Sequence, residues 1–196
     1  MIIVDIECSG VDPQEHSILS IGAIDFADPQ FEFYGECRIG KGDRIMKDAL
    51  RVNGFTIKQC KDPSKQTPAE LLEKFIYWAS QAKGKTLGGH NVHFDLGFLK
   101  QTAKDAHIQF PFPDRIVDLH SICYAHLIKR GIEIPKRNGK SQINSTFVQK
   151  YVGLPKEPKP HLALTGAKIE AETFSRLFFK KNMFKEYAQY KIPEYL

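Results

Sequence analysis

The stretch Val4-Asp5-Ile6-Glu7-Cys8-Ser9-Gly10 (VDIECSG), entered from Ile2-Ile3, decides how the rest of the chain is read. Apolar residues at 2, 3, 4 and 6 predict a buried strand over residues 1–8. Asp5 and Glu7 stand two apart on it, so both side chains leave the same face. In a core an unpaired carboxylate costs several kcal/mol of desolvation, and two neighbours also repel each other. Two arrangements meet that constraint. Either the strand lies at an edge with both acids in water, or a hard divalent cation, Mg²⁺ or Mn²⁺, lies between them.

Downstream, residues 17–27 (SILSIGAIDFA) and 30–39 (QFEFYGECRI) alternate, with Asp28-Pro29 as punctuation, which predicts an antiparallel meander. The pattern then takes a helical period. Thr67 as N-cap, Pro68 at the first helical position and Glu70 closing a capping box start a helix with Leu71, Leu72, Phe75, Ile76 and Ala79 on one face. A short strand over 85–89 leads to a helix from about Phe94, and a fifth strand over 115–119 to a helix ending near Gly131. Residues 131–140 and 153–160 read as Pro/Gly/Lys-rich loops around a short helix, and a long helix closes the pattern from about Leu162 to Lys181. The sum is a single α/β domain over 1–196, a mixed five-stranded sheet flanked by helices.

Composition sets the outer limits. The 196 residues are 42% apolar and 26% charged, which excludes a disordered chain. No run approaches the roughly 20 apolar residues of a membrane span, so no membrane partner is expected. Asp5 and Glu7 interrupt the N-terminal apolar run, which does not read as a secretory signal. The four cysteines form no C-x-x-C pair, against a disulfide framework or zinc knuckle and for a reducing, cytoplasmic setting. Residues 1–39 carry a net charge of −7 and residues 129–159 one of +6. These are two solvated faces, or a carboxylate cluster that holds metal joined to a surface that meets a polyanion.

Two further segments add chemistry. Gly89-His90-Asn91-Val92-His93-Phe94-Asp95 puts a third carboxylate in the first turn of a helix, where open N–H groups favour an anion. His90 and His93 lack a third Cys or His at zinc-ligand spacing. His161, in His161-Leu-Ala-Leu164, precedes the last helix as either a capping residue or a group able to deprotonate a water.

VDIECSG at 4–10, GHNVHFDLGFL at 89–99 and HLALTGA at 161–167 occur together in order and spacing. In these the chain resembles the DEDD 3′-5′ exonucleases of the His-containing branch, the group of ribonuclease T, oligoribonuclease and bacterial polymerase proofreading subunits. The likeness extends to Ala49–Thr56 and to Val117-Asp118-Leu119. It implies a ribonuclease H-like fold and a metal-dependent exonuclease that releases nucleoside 5′-monophosphates from the 3′ ends of single-stranded DNA or RNA. Two ions, Mg²⁺ or Mn²⁺, would be held by Asp5, Glu7 and Asp95, with His161 taking the proton of the attacking water. Cys8, Ser9 and Gly10 would meet the terminal sugar, and Phe55 would stack on the terminal base or lie in the core. A homodimer and a polymerase or helicase partner are further implications.

One position departs from the family. Its fourth carboxylate, an Asp five residues after the His, is here Gly166. A lost ligand leaves one ion weakened or absent, and three outcomes follow: weak cleavage, replacement by Glu170 one helical turn on, or an inactive exonuclease fold that binds nucleic acid or a partner. Glu172 is rotated away from the Gly166 face. On the sequence alone, Gly166→Asp is expected to raise activity.

Overall fold

The computed structural model describes all 196 residues. Its elements run β1 (Ile2–Cys8), β2 (Ile18–Asp25), β3 (Asp28–Glu36), α1 (Lys47–Asn53), α2 (Ile57–Cys60), α3 (Pro68–Gln81) and β4 (Leu87–Gly89). They continue α4 (His93–Asp105), β5 (Val117–Asp118), α5 (Leu119–Lys129), β6 (Lys136–Arg137), β7 (Lys140–Ser141), α6 (Ser145–Tyr151) and α7 (Ala163–Phe179). The five-stranded sheet has the order β3-β2-β1-β4-β5. β1–β2 and β2–β3 pair antiparallel, while β1–β4 and β4–β5 pair parallel. No helix is long and apolar enough to cross a membrane.

Alternation along β1 sorts the first strand between two cores. Ile2, Val4, Ile6 and Cys8 pack with α3 and α4, whereas Ile3 packs with α5, α6 and α7. Asp5 and Glu7 share the Ile3 face, so the acids point toward α7 and away from the larger core. The capping box at α3 forms as read: Glu70 N–H donates to Thr67 Oγ1 at 3.2 Å, and Thr67 N–H donates to Glu70 Oε2 at 2.7 Å.

Three segments differ from the sequence reading. The turn between β2 and β3 falls at Phe26-Ala27, and Asp28 and Pro29, read as the break, already belong to β3, where Asp28 pairs with Asp25. Residues 47–60 form α1 and α2, too short for a visible period. Within the expected loop at 131–140, β6 and β7 pair as a small antiparallel hairpin. Its turn residues, Asn138 (φ 51°) and Gly139 (φ 75°), are both left-handed, as a type I′ connection requires.

α7 lies unusually close to the sheet because two glycines leave it room. Gly22 of β2, opposite Asp5 in register, faces the backbone of Ala163 and Leu164, and a Cβ there would run into those atoms. Backbone cannot rotate aside. Gly22→Ala is therefore expected to cost about 3 kcal/mol, the upper end of overpacking penalties, read as a fall in urea-unfolding stability.

Candidate active site

β1, α4, α7 and the loop before α7 meet at one open crevice of about 260 Å³. Asp5 and Glu7 rise from β1, Asp95 from the first turn of α4, and Glu170 from the second turn of α7 after Gly166. β4 stops at Gly89, and beyond it Ile6 N–H donates to Asp95 Oδ1 at 3.0 Å instead of to a strand. Asp118, the N-cap of α5, also accepts from Val92 N–H at 3.0 Å and so fixes the turn into α4. His161 is set by its own backbone: its N–H donates to Val52 O at 3.1 Å, and Pro160 packs over Gly54 at the end of α1.

The acids drive one another toward the protonated state. Burial pushes the Asp5 carboxyl well up, and the charges of Glu170, Asp95, Glu7 and Glu157 push it further. Burial and then Glu157 raise Glu7 to about 8, against a hydrogen bond from Asn53 that lowers it. Asp95 and Glu170 are also raised, chiefly by burial. Backbone N–H groups of Asp95 and Ile6 partly offset the shift at Asp95, and that of His90 does so at Glu170. His161 is lowered, by burial first and then by Lys159 and Lys156, so its ring is neutral near pH 7 and free to accept a proton.

Four buried atoms of crevice-lining residues have no hydrogen-bond partner: Glu170 Oε2, Glu157 Oε1, His161 Nε2 and His90 Nδ1. Orphaned acceptors among mutually repelling carboxylates, all with hard oxygen donors, fit a divalent cation. As the side chains stand, no three of these groups converge on one ion. One oxygen of Asp95, Oδ1, is taken by Ile6 N–H.

Gly166 has a physical role in this arrangement. The Asp5 carboxylate occupies the space a side chain at 166 would fill, and a Cβ there would overlap Asp5 Oδ2. Gly166→Asp is therefore no simple restoration, contrary to the expectation from sequence: it first has to displace Asp5. Glu170, one of the three outcomes the sequence left open, lines the crevice with Asp5, Glu7 and Asp95. A Cβ built on Gly89 would lie 3.1 Å from its Oε2, which places the carboxylate over the end of β4. Glu172 faces away, paired with Arg176.

Cys8, Ser9, Gly10 and Phe55, the expected nucleotide contacts, do not line the crevice itself. Cys8 belongs to the α3–α4 core. Ser9 Oγ donates to Arg44 O and accepts from Ser17 N–H, while Gly10 abuts the His16 ring. Phe55 packs with Leu19, Leu50 and Cys60 beneath the Lys65 ammonium, so its ring has no open face for a base. The loop after β1 folds onto β2 and α1 and consumes its own polar groups. Conversely, Glu157 was missed. It lines the crevice with Oε2 3.6 Å from His161 Nδ1, beyond hydrogen-bond reach, and burial raises its carboxyl to about 7. It sits in Pro155-Lys-Glu-Pro158, where no periodicity marks it; its i−4 spacing from His161 was the available signal.

A larger groove of about 500 Å³ lies between the loop after β1 and the ends of α3 and α4. Arg38 and Lys41 are balanced there by Asp43 and Asp105, and none of the clustered acids reaches it.

A pH dependence follows. Glu7 and Glu157 have folded values of about 8 and about 7 against an ordinary 4.5. For raised carboxyls the stabilising contribution is complete below the unfolded value and lost as pH rises through the folded one. Each unit is worth about 1.4 kcal/mol, so the metal-free protein should lose several kcal/mol between pH 5 and 8. Thermal unfolding in EDTA checks this: Tm falls across that window, and Mn²⁺ restores it at pH 8.

Residues 2–174 match the family profile RNase_T, described as Exonuclease. Over 99 residues, 50% of this chain and 7% of the relative, the chain is 26% identical to a DNA polymerase III PolC-type protein of Thermotoga petrophila. It thus spans a small part of that polymerase's length. Among solved structures, cell-death related nuclease 4 superposes with a TM-score of 0.71 at 16% identity over 92% of this chain and 64% of that one. The nuclease domain of 3′hExo bound to rAMP gives 0.67 at 19% over 98% and 95%. E. coli Exonuclease I with a dT13 oligonucleotide gives 0.68 at 17% over 91% and 41%. At these identities the likeness establishes the ribonuclease H-like fold of the sheet described above.

Proposed function

The chain belongs to the exonuclease family whose profile it matches, and on that premise we propose that it is a divalent-metal-dependent 3′-5′ exonuclease acting on single-stranded nucleic acid. The observation that carries this is Glu170: a buried carboxylate with a partnerless Oε2, beside Asp5 and Asp95, in a chain that has glycine at 166. A disused crevice has no reason to gather an additional repelling acid.

Asp5, Glu7, Asp95 and Glu170 would hold Mg²⁺ or Mn²⁺. Bound, the ions supply Lewis-acid polarisation of the phosphoryl group and stabilise the leaving oxygen. His161 Nε2, partnerless and on a neutral ring, accepts the proton of the attacking water. Lys156 and Lys159, exposed on the loop beside His161, attract the phosphate backbone. The four buried free thiols support a reducing, cytoplasmic setting. Single-strand binding is what the Exonuclease I complexes carry in their own description; here it is part of the proposal, as is any association with a polymerase.

A second reading has its own observation. With Asp5 filling the Gly166 space and no three donors converging, the crevice also suits a catalytically silent binding subunit. Incubation of 5′-labelled DNA and RNA single strands with Mg²⁺ or Mn²⁺ separates the two. The exonuclease gives a ladder shortening from the 3′ end with nucleoside 5′-monophosphate as product, and Glu170→Gln lowers the rate about 100-fold or more. No shortening of any strand in Mn²⁺ leaves the silent subunit.

A further inference from the structure

We propose that the β6–β7 hairpin is an arm that grips the phosphate backbone of a base-paired stem behind a single-stranded 3′ end. The assignment rests on the nuclease reading only for which end of the nucleic acid enters the crevice.

The hairpin is a cationic structure without internal compensation. Lys136, Arg137 and Lys140 are all exposed, and none has an acidic partner within 4 Å. Arg137 stands directly opposite Lys140 in the register. Like charges at directly opposed positions destabilise a two-stranded ribbon, so the sequence puts repulsion where an acid would give attraction. An external polyanion removes that repulsion.

The arm is nonetheless held firmly. Ile134 and Ile143, flanking its two strands, are buried in the core beneath α5 and α7. Gln142 N–H donates to Pro135 O at 2.8 Å, and Ser141 Oγ meets His120 Nε2 at 3.0 Å. That last bond also locates it. His120 lines a shallow groove with Asn91 and Asp118, Asn91 also lines the acidic crevice, and Ser145, four residues after the hairpin, lines the crevice again. The arm thus stands one groove away from the carboxylates.

Its composition selects the paired part of a substrate. Unpaired strands are held by aromatic platforms on which bases stack. Residues 136–141 (Lys-Arg-Asn-Gly-Lys-Ser) contain no aromatic ring. What they offer is charge on a two-stranded ribbon, a shape that the major groove of B-form DNA admits, and charge reads the backbone of either duplex whatever the sequence.

The test is fluorescence anisotropy with the full chain in EDTA, so that no cleavage is needed. The probes are a 12-nucleotide single strand and a stem-loop carrying the same strand as its 3′ tail, each as DNA and as RNA. In Lys136→Gln/Arg137→Gln/Lys140→Gln, stem-loop affinity falls about tenfold or more at moderate salt, and the slope of log K against log salt drops by about 0.9 per charge removed. Single-strand affinity stays within twofold. Lys140→Glu, which places an acid opposite Arg137, keeps or raises Tm yet also weakens the stem-loop complex, separating charge from folding. The DNA and RNA arms identify which stem is gripped. An equal loss on both probes, a loss on the single strand alone, or no loss on either overturns the proposal. Stem-loop binding that depends on the arm in a chain that trims nothing leaves it standing and removes the nuclease reading instead.

Discussion

Asp5→Asn should abolish divalent-metal-dependent trimming while making the metal-free fold more stable. Asn keeps the shape of Asp and removes the charge that burial and four neighbouring acids oppose. At pH 8 in EDTA its unfolding should therefore be shifted to higher temperature than wild type. The same charge is what a cation needs. Even groups outside the ligand shell cost 10–100-fold when lost, so removing a carboxylate that would hold the ion should cost about 100-fold or more in trimming. Mn²⁺ should also raise the variant's Tm by less than it raises that of wild type. The opposed directions are the diagnostic part: a merely structural acid would lower both stability and activity. An Asn variant that trims at the wild-type rate would remove Asp5 from the chemistry.

The other large effect lies behind the crevice. Arg176 is fully buried on α7, with Nε donating to Glu172 Oε1 at 2.8 Å and Nη1 to Val152 O at 2.9 Å. Its Nη2 donates to Asn182 Oδ1, Tyr187 O and Tyr190 O, while Glu172 Oε2 accepts from the N–H groups of Met183 and Phe184. One ion pair thus ties the end of α6 and residues 182–190 to the helix that carries Glu170. Arg176→Leu strands a buried carboxylate and three backbone carbonyls, and breaking such a pair from one side costs about 3–5 kcal/mol. Urea unfolding measures the loss, and limited proteolysis should show cleavage beginning between residues 182 and 196. Glu172→Gln keeps one of the two acceptor oxygens and leaves Arg176 its carbonyl partners, so it should cost less. If the two variants lose equal stability, the charge is not what holds the segment.

Much of this could be read from local rules. The Thr67–Glu70 capping box and the antiparallel meander over 17–39 each depend on neighbours a few residues apart; the box formed as read, and the meander formed with its turn two residues earlier, at Phe26-Ala27. The Asn138-Gly139 turn was equally local, but its hairpin has only two residues per strand and no apolar alternation to announce it. Glu157 had no such marker.

Long-range contact decided the rest. The resemblance implies nucleotide contacts at Ser9, Gly10 and Phe55, yet the loop after β1 satisfies its polar groups against Arg44, Ser17 and His16, which no spacing in the sequence reveals. Gly166 reads in a helix as a weakness of about 1 kcal/mol; folded, it is the space into which the Asp5 carboxylate fits.

By itself the sequence determined the succession of strands and helices along the chain and the shared face of Asp5 and Glu7, because backbone periodicity is enough to set them, whereas the grouping of Asp95 and His161 with those acids was implied by the family resemblance. Only the tertiary structure decided which groups are left without partners. Burial, repulsion between acids and the reach of a side chain depend on elements brought together from distant parts of the chain.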